Sequence, residues 1–355
     1  MSVIRVHVMY EYGVDHRPHG SAYIRLLNPL RHPAIAGRVE VTAGEELKPA
    51  DVVIVDRTWK YDVTLHDAEE LVCRIRKAGS RLLYSIDDNL LDLDLAGGFG
   101  APFTLDQLTV VRLLAREADG VIVSTNALAE RMRQLNKSIC ILPNALDERL
   151  FTGCGAQTAT GRGRLVVGYM GTFTHDDDLF MILEALRSHA DKIELQLVGG
   201  ISDAAILQGL RPLSVTSLDT QGHHEYPDFM RWFGSTIRWD LGLAPLVDTP
   251  FTRCKSDIKF LDYGSCGIPG LFSNVEAYRH TVQHGVTGWL VKNSVEAWRA
   301  ALGVVVNDTG LRSNMGTAAG KWVRANRVLS ACATQWAEAV ETVANSGRVW
   351  GGGNS

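Results

Sequence analysis

The 355-residue chain lacks several features that would place a protein in a class at sight. No apolar run approaches the ~20 residues that cross a bilayer, so no membrane span is expected. The six cysteines, at 73, 140, 154, 254, 266 and 332, form no CxxC pair, and their spacing suggests neither a zinc site nor a disulfide framework. They read as reduced thiols of a cytoplasmic protein. There is no GxGxxG, which leaves a dinucleotide site with little support. Neither charge dominates: 36 basic against 40 acidic residues give a net charge of −4, which argues against a general nucleic-acid binder. Eleven prolines against thirty-four glycines fit an α/β protein with many tight turns. The opening MSVIRVHVMYEYG is no signal peptide, because its short apolar run is interrupted by Arg5 and His7. It reads as a first strand.

What is present is a repeated alternation of strand and helix over a length that fits two domains. With 46% hydrophobic residues, the chain can bury two ordinary cores. Strands are expected at Val3 to Met9, Asp51 to Val55, Arg81 to Ile86, Gly120 to Val123 and Ile139 to Leu142. Between them, helices are expected from near Ser21, at Ala68 to Lys77, at Thr104 to Ala118, and from a cap at Asn126 to Leu135. The small, polar stretch Thr152 to Gly163 is the best linker candidate. The alternation then restarts, with strands at Leu165 to Met170 and Ile193 to Val198 around a helix from Asp178 to Ser188. The tail has helices at Val295 to Val305 and Lys321 to Ala344, and the terminal GGGNS is expected to be disordered.

The stretch Leu241 to Val291 carries the chemistry. An apolar run to Leu246 ends in a polar loop, a helix follows over Ile258 to Cys266, and Gly267-Ile268-Pro269 stops it before a second apolar run, Gly270 to Phe272. The loop and helix start hold Arg253, Lys255, Ser256 and Lys259. Free N–H groups and a positive dipole end suit a phosphate there. Lys255 and Lys259 lie four apart on one face, so one or both can neutralise a diphosphate, although a solvated basic turn gives the same pattern. Asp87 and Asp88 end a strand, which turns them toward a cleft where one can bind an acceptor or take its proton, with helix capping at Asn89 as the plain alternative. Arg57 also ends a strand, and Arg25 lies in the opening turn of the first helix; either can contact a phosphate or acceptor, or form an ordinary salt bridge. Tyr12 and His16, with Tyr10 and His19, form a loop over the cleft mouth that can stack on an acceptor sugar. The run Asp176-Asp177-Asp178 reads as a helix cap rather than a metal site. His280 and His284, four apart on an expected helix, read as surface histidines.

Four segments carry a resemblance: GYMGTFTHDDDL at 168–179, KSDIKFLDYGSCGIPG with SNVEAY and GVTGWLV in the 255–291 stretch, DGVIVSTNALAERM at 119–132 and ILPNALDERLF at 141–151. Together they resemble glycosyltransferase family 4, the group 1 glycosyltransferases of the GT-B fold, over about half the chain. The resemblance implies an α/β protein of two Rossmann-like domains facing an interdomain cleft. Residues 1–151 would bind the acceptor and 164–325 the nucleotide-sugar donor, and a C-terminal helix at about 326–350 would pack back on the first domain. It implies donor contacts from Gly171, Thr172, Arg253, Lys255, Ser256, Ile258, Lys259 and Asp262, the last on the ribose hydroxyls. His175 would touch a phosphate or the sugar, unless it is a plain loop histidine. His223, His224 and Tyr226, in a loop before the donor helix, would lie near the base. Two departures stand out. Cys254 occupies the position of the family's first motif glutamate, and the loop after Gly171 lacks the usual arginine and lysine.

The function implied is a retaining transferase that moves a sugar from a nucleoside-diphosphate sugar to a hydroxyl acceptor, a glycan by expectation, with no cofactor and no essential metal. The alternatives are a nucleotide-sugar epimerase or phosphorylase of the same fold, or a non-catalytic sugar- or partner-binding module. Basic faces at Arg131, Arg133 and Lys137 and at Arg74, Arg76 and Lys77 suit a peripheral contact with anionic lipid at the inner membrane face, or are simply solvated.

Overall fold

Twelve strands in the computed structural model assemble into two wholly parallel sheets. It describes residues 2–92, 103–151, 163–171, 176–199 and 204–346. The linker expected over 152–163, apart from Gly163, and the GGGNS tail lie outside these residues.

The first sheet comprises β1 (Ile4–Met9), β2 (Val39–Ala43), β3 (Val52–Asp56), β4 (Arg81–Ile86), β5 (Gly120–Val123) and β6 (Ile139–Ile141), in the order β2-β1-β3-β4-β5-β6. β3 and β5 are buried along their whole length, as expected of apolar runs covered on both faces. A helical run over 20–30, with a π-turn at Tyr23–Leu27, forms α1. On the other face lie α2 (Leu65–Lys77), α3 (Leu105–Glu117) and α4 (Asn126–Met132). α2 begins three residues before the expected Ala68, because Thr64 and Asp67 close a capping box. α4 is capped by the Thr125 hydroxyl rather than by Asn126, which is the first helical residue.

The second sheet comprises β7 (Leu165–Met170), β8 (Ile193–Val198), β9 (Ser214–Leu218), β10 (Leu241–Ala244), β11 (Gly270–Ser273) and β12 (Trp289–Val291), in the order β12-β11-β10-β7-β8-β9. The helix expected over Asp178 to Ser188 is two short ones, α5 (Asp176–Phe180) and α6 (Leu183–Arg187). α7 (Ala204–Gly209) and α8 (Tyr226–Thr236) follow, so Tyr226 opens a helix instead of lying in a loop. α9 (Ile258–Ser265) is the helix of the phosphate-type motif, and α10 (Glu276–Arg279) follows β11. His280 lies at the end of that short helix, paired with Glu276, and His284 lies beyond it against Trp289, so the two histidines do not share a helix face. α11 (Val295–Asn307), α12 (Thr309–Asn326) and α13 (Leu329–Asn345) complete the chain.

The expected helix Lys321 to Ala344 is broken at Arg327, where the chain crosses back toward the first sheet. There it pairs with the outgoing crossing: Leu146 N–H donates to Arg327 O at 2.8 Å and Leu329 N–H to Leu146 O at 2.9 Å. α13 then packs Leu329, Ala333, Trp336 and Val340 against Val6, Val8, Ile54 and Leu83 of the first sheet. No described helix is long and apolar enough to cross a membrane.

In each sheet the strand order reverses at one point, between β1 and β3 and between β7 and β10. Ligands of open parallel sheets bind outside the strand C-termini at such points. β7 is closely packed at its middle, at Gly168, where a Cβ would meet the Trp239 ring at 1.7 Å. Gly168→Ala is therefore expected to cost about 2–3 kcal/mol of stability by overpacking. A shift in denaturation midpoint would show it, and an unchanged midpoint would contradict the packing.

Candidate functional site

The C-terminal ends of β1, β3 and β4 gather charge. Glu11, just beyond β1, is 5% exposed. Burial alone would raise its pKa, but Arg57 at 3.2 Å and hydrogen bonds from His19 and Thr58 hold it at about 2. The same hydrogen bond with Glu11 raises His19. Asp56, at the end of β3, is pushed up to about 7 by burial and by the charges of Glu11 and Asp87. Asp87 is pushed up by burial and by the adjacent Asp88. Arg57 lies 3.8 Å from both Asp87 and Asp88.

The second sheet faces this cluster with cations. Lys255 reaches across and pairs with Asp88 at 2.8 Å, while its ammonium lies 4.7 Å from the Phe251 ring centroid. Ser256 Oγ accepts a hydrogen bond from Asn144 Nδ2 at 2.8 Å. Asp257 stands at the N-cap of α9 but makes no side-chain cap there. Its carboxylate is held by Arg327 at 2.9 and 3.1 Å and by the Thr281 hydroxyl at 2.7 Å. The start of α9 thus keeps first-turn N–H groups available to an anion. Lys259, the second residue of α9, is buried 5.1 Å from the Tyr169 ring centroid, and burial pulls its ammonium down to about 8 against the attraction of Asp178. Asp262, three residues later, is pushed up to about 7 by burial and accepts from the Tyr226 hydroxyl at 3.3 Å.

Lys255, Ser256, Ile258, Lys259 and Asp262 therefore fall on one short run beside the point where strand order reverses, with Gly171 just beyond β7. Thr172 and His175 lie outside the described residues. Arg253 is turned away: it is exposed, pairs with Asp248 at 2.7 Å, and lines a cavity of about 690 Å³ with Glu130, Arg131 and Arg279. Arg25, expected near an acceptor, is 1% exposed and donates to Leu142 O and Asn144 Oδ1, so it has no open surface on which to meet one. Arg57 is engaged by the carboxylates around it. Tyr12 lines a second cavity, of about 460 Å³, with Glu45, Trp59 and Lys60. His16 stacks on Tyr12 with centroids 5.3 Å apart and binds Glu45.

Asp178 Oδ1 accepts from Val247 N–H at 2.7 Å and ties α5 to the loop after β10. Cys254 is a packing residue: it is 2% exposed in the core beneath α2, α3 and α4, and burial raises its thiol to about 11. Among the described residues His32, Asp147 and Glu148 lie close enough for a metal. His32 Nδ1, however, accepts from Ala34 N–H, which leaves the ring proton on Nε2, facing Glu148 at 3.3 Å. That geometry is a hydrogen-bonded clasp. Glu11, Asp56, Asn144 and Arg327 were not singled out from the sequence. Glu11 and Asp56 carry the same signal as Asp87, an acid at the end of an apolar strand. The Asp257–Arg327 pair joins residues 70 positions apart and leaves no local signal.

Residues 164–308 match the family model described as glycosyl transferases group 1. No curated protein sequence matches the chain. Among solved structures, Alr3699/HepE from Anabaena in complex with UDP and glucose is 14% identical with a TM-score of 0.66, over 96% of this chain and 100% of that one. A glycosyltransferase from Rickettsia africae is 12% identical with a TM-score of 0.64, over 98% and 100%. Sucrose-phosphate synthase from Thermosynechococcus elongatus is 18% identical with a TM-score of 0.63, over 82% and 73%. At these identities the likeness is one of fold, and the fold is GT-B.

A buried carboxyl whose folded pKa is raised binds its proton more tightly folded than unfolded, so its charging lowers stability as pH rises from about 4 to about 7. Asp262→Asn removes that loss. The variant is expected to be more stable than the parent by a few kcal/mol at pH 8, with the gap at least halved at pH 5, as read by denaturant melts. A pH-independent gap would contradict the assignment.

Proposed function

We propose that this chain, which carries a group 1 glycosyl transferase domain over residues 164–308, moves a sugar from a nucleoside-diphosphate donor to a hydroxyl acceptor with retention of anomeric configuration. One observation carries the reading: Lys255, Ser256, the start of α9 and Lys259 form a strip of donors and cations, and across the cleft they face the carboxylates Asp87 and Asp88. In this reading residues 164–325 hold the donor and residues 1–151 the acceptor. The diphosphate lies on Lys255, Ser256 and the α9 start, and Asp262 accepts from the ribose hydroxyls. The acceptor hydroxyl is held by Asp87 or Asp88. Its oxygen bonds to the anomeric carbon as the bond to the diphosphate breaks, and its proton passes to the departing phosphate oxygen. The cations stabilise the charge that develops on that oxygen. Uridine nucleotides are the first donors to test, because the Anabaena neighbour has been crystallised with UDP and with UDP-glucose. A glycan hydroxyl is the acceptor class favoured, at a peripheral or cytoplasmic location.

Calorimetric titration with UDP and GDP, together with an assay of nucleotide release from their sugars, tests this. Lys255→Ala is expected to weaken nucleoside-diphosphate binding about 10- to 100-fold, the scale of a lost hydrogen bond to a charged group, with the melting transition nearly unchanged. A parent chain that binds neither nucleotide and releases none would leave the non-catalytic module as the reading. The ionisation of Lys259 gives a second test. Its pKa of about 8 means that affinity for UDP should fall as pH rises above 8, and Lys259→Met should flatten that fall. An equally steep fall in the variant would remove Lys259 from the diphosphate site.

A further inference from the structure

Asn144 is 5% exposed and lies in the outgoing crossing between the two sheets, beyond β6. Its side chain has two ends that an amide can exchange by rotation, and the neighbouring Arg25 decides between them. Arg25 Nη1 donates to Asn144 Oδ1 at 3.0 Å. A guanidinium has donors only, so the carbonyl end must face it. Arg25 is itself held in place: it is 1% exposed, it donates to Leu142 O, and its backbone carbonyl accepts from Trp336 Nε1 at 2.6 Å. The NH2 end of Asn144 therefore faces Ser256, and Ser256 Oγ accepts from it at 2.8 Å. With that lone pair engaged, the Ser256 hydroxyl retains its own proton for a different acceptor. Ser256 is half-buried, at the start of α9.

The return crossing grips the next residue. Arg327 donates through Nε to Asn144 O at 2.6 Å and through both terminal nitrogens to Asp257. Both connections between the sheets thus converge on Ser256 and Asp257. The start of α9 is fixed from outside its own sheet.

We propose that Asn144 is a positioning residue that turns the Ser256 hydroxyl proton outward, toward a phosphate oxygen of the donor. This rests on the glycosyl-transfer reading above. Asn144 touches neither donor nor acceptor and acts through Ser256 alone. Any change that reverses the hydrogen bond between them should weaken diphosphate binding, and should do so only while the hydroxyl is present.

Asn144→Asp makes that change while keeping an oxygen for Arg25. An aspartate has no donor for Ser256, so the hydroxyl must donate inward. Affinity for UDP and GDP is measured by calorimetry in the full chain for the parent, N144D, N144A, S256A and the two double variants with S256A, alongside melting curves. N144D is expected to weaken binding at least tenfold with Ser256 present and no more than two- to threefold in the S256A background. The residual there reports the added charge alone. N144A is expected to weaken binding about fivefold, with little further effect on S256A. Equal penalties for N144D in both backgrounds overturn the proposal, since they show an effect of charge or fold that does not run through the hydroxyl. A parent that binds neither nucleotide removes the glycosyl-transfer reading, and the inference with it. A parent that binds while the cycle is additive removes the inference only.

Discussion

Four carboxylates, those of Glu11, Asp56, Asp87 and Asp88, converge at the ends of β1, β3 and β4, and Arg57 makes their convergence tolerable. Burying like charges side by side is costly unless a counter-charge lies among them. At 4 Å and an effective dielectric of about 20, each such interaction is worth about 4 kcal/mol. Arg57 touches three of the four acids and holds Glu11 fully ionised. To do so its backbone takes a φ of 48°, a region that residues other than glycine seldom occupy. Its N–H is fixed to Ser85 O at 2.8 Å, which ties the strained turn to β4. For Asp56 and Asp87 this compensation is incomplete: burial, together with the neighbouring carboxylates, raises both.

The second half of the chain meets that cluster through Lys255, which pairs with Asp88, and meets the rest of the first half through several further contacts. The loop between β10 and α9 belongs by sequence to the second half of the chain, yet much of it docks on the first. Cys254 sits in the first-sheet core, its carbonyl accepts from the Thr125 hydroxyl at 3.0 Å, and Asn89 donates to Pro250 O at 3.3 Å. Tyr23 adds a hydrogen bond to Glu225 at 2.6 Å, just ahead of α8. The loop that carries Lys255 is therefore held by both halves of the molecule.

Much of this architecture was legible in the sequence. β4, β5, β7 and β8 match their expected bounds, because each places apolar residues on its buried positions, continuously in β5 and alternately in β8, between clear stop signals. The strands that escaped notice are β2, β9 and β12, all at sheet edges: β2 and β9 mix threonine, serine and glutamate with valine, and β12 is only three residues long. α8 was missed because its apolar face is interleaved with polar residues and begins at a proline, which suits a first helical turn but also resembles a loop. The grouping of Lys255, Ser256, Lys259 and Asp262 on one run was legible because a single motif carries them. Arg25 was misjudged because nothing local distinguishes an arginine facing a cleft from one sealed beneath a crossing strand. Asn144 sits beside a proline in a stretch with no periodicity, and only the tertiary fold brings it to Ser256.

The pair formed by Lys255 and Asp88 has a further consequence. Lys255, a cation of the second half, is matched by an anion of the opposite sheet. An incoming anion at Lys255 does not neutralise a bare charge; it displaces a carboxylate, and the net electrostatic gain is the difference between the two. A singly charged ligand gains little by such an exchange, whereas a diphosphate, with more charge to offer than the group it replaces, gains substantially. The displaced Asp88 keeps Arg57 3.8 Å away as a counter-charge. Occupancy of one sheet thereby alters what the other presents, without any movement of the backbone.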